Sequence, residues 1–78
     1  MEVNDIIVLD NNERYTLLKK VEYENEVYFL SMPIDENEII DENKILFLKS
    51  SYEDGDNFVE MVVDEDLIIR LTKIIYEN

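Results

Sequence analysis

Carboxylates supply nearly all the chemistry this chain can offer. Among 78 residues there are 20 Asp plus Glu, seven Lys plus Arg, and no His or Cys. The acids gather in three segments: Asp35, Glu36, Glu38, Asp41 and Glu42; then Glu53, Asp54 and Asp56; then Asp64, Glu65 and Asp66. Catalysis by paired carboxylates requires one acid buried and raised in pKa beside another that stays ionised. These acids lie instead in turn-like stretches and at strand ends, where water keeps them charged. With no His or Cys, the commonest general base and the best nucleophile are both missing. Ser31, Ser50 and Ser51 have no evident base to activate them. The expectation is a protein that is not an enzyme.

Metal binding is weighed next. Asp54-Gly55-Asp56-Asn57 and the Asp35–Glu42 stretch hold oxygen donors suited to Ca²⁺ or Mg²⁺. Neither has the alternating ligands, central glycine and closing glutamate of an EF-hand loop. Both read as solvated loops, so no metal and no cofactor is expected.

The formal net charge is −13. That sign argues against nucleic acid and anionic membranes as direct partners and favours a basic protein. The leading expectation is therefore a small acidic interaction protein. The alternative is a nucleic-acid mimic that inhibits a DNA- or RNA-binding protein, of the kind encoded by phage or mobile elements. Duplex DNA carries one charge per ~1.7 Å, so a stretch as wide as a small domain (~30 Å) holds about 18 charges. The carboxylates match that count if all three acidic segments line up on one side. Apolar contact is a further route. Five tyrosines are of the type enriched at hot spots. Phe29, Leu46 and Leu48 would form an exposed patch, or a homodimer interface, if one sheet face stays open.

The elements that must position these groups can be read from spacing and turns. Ile6-Ile7-Val8-Leu9 is a β-rich run ending in Asp10-Asn11-Asn12-Glu13, the first hairpin turn. Arg14 to Tyr23 is a second strand, with Tyr15, Leu17, Val21 and Tyr23 on a buried face and an irregularity near Lys19-Lys20. Glu24-Asn25 turns the chain into a third strand, Glu26 to Met32, which Pro33 ends. Residues 34–43 form a surface loop pinned by Ile39, Ile40 or both, with a helical turn as an option. Lys44 to Ser51 is strand four, and like strand three it is apolar on both faces. Asp54-Gly55 is the strongest hairpin signal and leads to strand five, Asn57 to Val63.

Asp64 is placed to cap a helix whose first turn carries Glu65 and Asp66, with Val63 and Ile68 closing over the cap. Leu67, Ile68, Leu71, Ile74 and Ile75 make its apolar stripe. The fold class is α+β: an antiparallel meander sheet of about five strands (residues 5–63) with one C-terminal amphipathic helix (65–76) packed on one face. The whole chain, 1–78, is one domain.

Three stretches carry a family resemblance: Asp5-Ile6-Ile7-Val8-Leu9-Asp10, Tyr15-Thr16-Leu17-Leu18, and the run from Val21 to Tyr28. With the acidic loop and the Asp-rich helix start, they make the chain resemble the YrzB-like family of short acidic bacterial proteins, a domain of unknown function. The likeness spans nearly the full length and rests on spacing and turn character. Asn25 stands where that family tends to have Gly. The resemblance implies a small cytoplasmic β-rich fold and implies no activity. The absence of Cys suits a reducing cytoplasm too, and neither a signal peptide nor a membrane span is read from the sequence.

Overall fold

Positive-φ residues set the turns, and the turns set the meander. In the computed structural model, which describes residues 1–9 and 11–77, the strands are β1 (Ile6–Val8), β2 (Arg14–Tyr23), β3 (Glu26–Pro33), β4 (Leu46–Glu53) and β5 (Asp56–Met61). They form one antiparallel sheet in sequential order. Helix α1 (Glu65–Glu77) follows. Glu24 and Asn25 have φ of 50° and 66°, and Asp54 and Gly55 have 52° and 88°. Two central residues at positive φ define the type I′ turn, whose twist matches that of paired strands. The β1–β2 turn closes through the Leu9 amide on the Glu13 carbonyl at 2.9 Å, with Asn12 at φ 65°. Asp10, assigned to this turn by the sequence, lies outside the described residues.

The irregularity expected in β2 is a β-bulge, and it has a consequence the sequence spacing concealed. Leu17 pairs with Ser31 but Lys19 pairs with Leu30, so Leu18 is an extra residue. An extra residue reverses which side each later side chain faces. Tyr15 and Leu17 thus join Phe29 and Leu48 on one face, while Val21 packs with Tyr28, Phe47 and Leu71 on the other. The single buried face expected for β2 is really two half-faces.

Helix α1 covers the second cluster. Leu71 is fully buried, and Leu67, Ile68, Ile74 and Ile75 flank it. Asp64 caps the helix as expected: its Oδ1 accepts from the Asp66 and Leu67 amides at 3.0 and 3.4 Å. The staple does not form, because Val63 is exposed and Val62 packs in its place.

The first cluster has no helix over it. It is covered by curvature, since residues on or next to all five strands contribute, from Ile7 and Leu9 through Tyr15, Phe29 and Leu48 to Val59. The sheet curls until its two edges share one core. This corrects the expected open patch: Phe29 and Leu48 are 1% and 0% exposed, and Leu46 is half-buried. No helix among the described residues is long and apolar enough to cross a membrane.

Phe29→Ala and Leu48→Ala should each destabilise the chain by about 2 to 5 kcal/mol, since neither site can collapse into solvent. Val63→Ala should change stability by no more than about 0.5 kcal/mol. Urea midpoints measured on the three variants check this ordering.

Candidate functional site

A wide recess lies where the Pro33–Leu46 connection folds back against the sheet. It measures about 870 Å³ and is lined by Tyr15, Ile34, Ile39, Ile40, Ile45, Leu46 and Met61 together with Glu13, Asp35, Asp41 and Lys44. The wall is built by backbone geometry. Ile34 and Ile40 form an isolated bridge, the Asp35 amide donates to the Ile39 carbonyl at 3.0 Å, and the Asp41 amide donates to the Pro33 carbonyl at 2.9 Å. The Asp35 carboxylate fixes the turn between, accepting from the Asn37 and Ile39 amides at 2.8 and 2.9 Å. Asp41 repeats the device one turn later, accepting from the Asn43 amide at 3.1 Å. Short acidic side chains that bond backbone two residues on are good turn formers. Asp35 and Asp41 therefore build the wall as well as charge it.

The isoleucines do not pin this loop. Ile39 is 64% exposed and Ile40 is also exposed, so the loop is held by its backbone bonds and by Arg14, whose guanidinium donates to the Asp35 carbonyl at 3.4 Å. No helical turn forms here. The outcome is apolar surface turned toward the recess and toward solvent, framed by carboxylates.

At the inner end, the Tyr15 hydroxyl donates a short hydrogen bond to the Glu13 carboxylate. That bond pushes the Tyr15 pKa up to about 12, with burial and the Glu13 charge adding to the effect. The phenol holds its proton through the whole physiological range, so it serves as a fixed donor. Buried Ser31 donates its hydroxyl to the Leu46 carbonyl at 3.0 Å and so has a structural partner. Among the described residues, no group of three or more metal-ligating side chains converges.

The three acidic segments do not all share one end of the sheet: Asp64–Asp66 follow Val62, whose amide bonds to the Phe47 carbonyl near the start of β4, and only Glu53, Asp54 and Asp56 lie at the other end. Asp35, Glu36, Glu38, Asp41 and Glu42 precede β4, while Glu53, Asp54 and Asp56 lie at its far end. The seven rises from Leu46 to Glu53 hold the two groups apart by roughly 23 Å. Asp64, Glu65 and Asp66 sit at the start of α1. There Arg70 donates to the Tyr23 hydroxyl at 3.2 Å. The Arg70 pKa is raised, first by that bond and then by its nearby charges, Asp66 and Glu24 among them. All the predicted acids are exposed except half-buried Asp41.

The sequence reading missed the contribution of Ile34, Ile45, Met61 and Tyr15 to one recess. The available signal was isoleucine recurring inside the most acidic stretch of the chain. Of the five tyrosines, Tyr15 and Tyr28 are core, Tyr23 is half-buried, and Tyr52 and Tyr76 are exposed.

No protein-family model, curated protein or solved structure matches this chain.

The Tyr15–Glu13 pair predicts an alkaline limit. A folded pKa above the unfolded value of 10 stabilises the fold fully below pH 10, and the contribution is lost as pH rises through about 12. Denaturant midpoints measured from pH 8 to 12 should fall over the upper part of that range, and Tyr15→Phe should flatten this component.

Proposed function

We propose that this chain is a small acidic interaction protein that binds a basic protein partner by contact, without performing a reaction. One observation carries the reading: the recess beside the Pro33–Leu46 connection is lined by apolar side chains and by three carboxylates against one cation, Lys44. Apolar contact supplies affinity in such a site, whereas rim charge mainly steers encounter and rejects like-charged competitors. The fitting ligand is an apolar side chain or short segment flanked by Lys or Arg. A net charge of −13, with two exposed ion pairs among the described residues, leaves a long-range field to draw such a partner in.

What supports this over a nucleic-acid mimic is the separation along β4. A mimic needs its charges on one surface at phosphate-like spacing. Here Glu53, Asp54 and Asp56 lie at the opposite end of β4 from Asp35–Glu42, so the acids do not all share one surface. The burial of Phe29 and Leu48 likewise removes the apolar patch on which a homodimer reading rested.

Capture from the native cell's extract should yield basic proteins that bind faster at low salt and are still retained at high salt. Replacing Ile39 and Ile40 together by Asp should weaken retention at least about tenfold, or ~1.4 kcal/mol. Reversing Glu36, Glu38 and Glu42 to Lys should chiefly slow association. Full retention by the double Asp variant would overturn the assignment of this recess.

A further inference from the structure

The curled sheet stops short of closing, and its two edges border one cleft. About 490 Å³ of open space lies between Ile7, Val8 and Leu9 on one side and Asn57, Phe58 and Val59 on the other. Among the described residues, no backbone hydrogen bond joins β1 to β5.

Which backbone groups are unused follows from the register. The Val62 amide donates to the Phe47 carbonyl at 2.9 Å, and Leu48 lies opposite Met61. In an antiparallel ladder, hydrogen-bonded pairs alternate with pairs whose N–H and C=O point away. Glu60, Phe58 and Asp56 therefore bond to β4, and Met61, Val59 and Asn57 direct their N–H and C=O groups outward. On β1, the Leu17 amide donates to Asp5 and the Leu9 amide to Glu13. By the same alternation, Ile6 and Val8 are the residues with outward groups.

An edge strand usually carries Lys, Pro or a bulge to prevent pairing. Neither carries these, and what protection there is comes from the shortness of β1 and from Asp56 and Glu60 on β5. Beside those acids they carry exposed apolar side chains: Ile6, Val8, Phe58 and Met61 are all exposed, Val8 at 62%.

We propose that the β5 edge, in the cleft it shares with β1, takes up an extended segment of a partner protein in which apolar residues alternate with Lys or Arg. Main-chain pairing with Asn57, Val59 and Met61 supplies the hydrogen bonds, as in strand addition generally. The alternation follows from the two faces. Side chains on the inner face enter the core shared by Ile7, Leu9 and Val59 and must be apolar. Side chains on the outer face meet Phe58, Glu60 and Asp56. Lys49, directly opposite Glu60, is turned to Glu26 at 3.8 Å, and no ion pair forms at Glu60 among the described residues.

A second copy of this chain fits poorly in the same cleft. It brings another −13 charges and places a like-charged strand against Asp56 and Glu60. The surface differs from the recess described above and shares with that reading only the charge of the partner.

The test uses the full chain, ¹⁵N-labelled, titrated with an end-blocked peptide of about six to eight residues alternating valine and lysine. Amide shifts and slowed hydrogen exchange are expected at Asn57, Val59 and Met61. The same peptide N-methylated at alternate backbone nitrogens keeps its charge and loses donors, and should bind at least about tenfold more weakly. Glu60→Lys should weaken the unmodified peptide by about twofold to fivefold. Equal affinity for the N-methylated peptide overturns the proposal, as do shifts confined to residues 34–45, an outcome that leaves the recess reading intact. A dimer of the free chain with Asn57, Val59 and Met61 already protected also overturns it, by naming a second copy as the occupant.

Discussion

The central strands β3 and β4 bury apolar side chains on both faces, and the rest of the molecule is arranged to cover them. Tyr28 and Phe47 face one way, and Phe29 and Leu48 the other. A chain of 78 residues has one helix to spend on this task. Helix α1 takes the first face. The second is covered by bending the sheet over itself, which requires β1 and β5 to approach across the core. The bulge at Leu18 makes both solutions work for β2, lending Tyr15 and Leu17 to one cluster and Val21 to the other.

Covering both faces leaves little room for charge inside, and every described acid but Asp41 and Glu26 is exposed to water. The acids are not idle there. Asp35, Asp41 and Asp64 each accept backbone amides that would otherwise lack partners at turns and at the helix start. Cations are too few to neutralise them: among the described residues the ion pairs are Lys20–Glu22 at 3.9 Å and Lys49–Glu26 at 3.8 Å, both long and solvent-accessible. Such pairs contribute at most about 1 kcal/mol each. The fold is thus held by its two small cores, and the charge remains available for recognition.

Curvature also explains why the two recesses lie where they do. A sheet that closes on a core without pairing its edges leaves a cleft along the seam, between β1 and β5. The connection from β3 to β4 is too long for a tight turn and folds back on the open end of the curl. Its isoleucines end up lining a cavity because its own backbone bonds, not their burial, hold it in place.

Much of the fold was legible because local signals agreed: Asp54-Gly55 for a type I′ turn, Asp64 for a cap, and apolar residues on both faces of β3 and β4 for central strands. Glu24 at positive φ and the failure of Val63 to staple the helix were not legible, because each depends on how neighbouring segments meet. The same holds for Phe29, Leu46 and Leu48. Side-chain period tells which residues share a face, but whether that face is open depends on how far five strands bend together. Composition and order alone determined a charged, meandering α+β chain with its acids at turns. Tertiary structure decided which faces are closed, which acids are neighbours and where apolar surface remains. Burial and proximity are properties of distant residues packed together, and no local pattern encodes them.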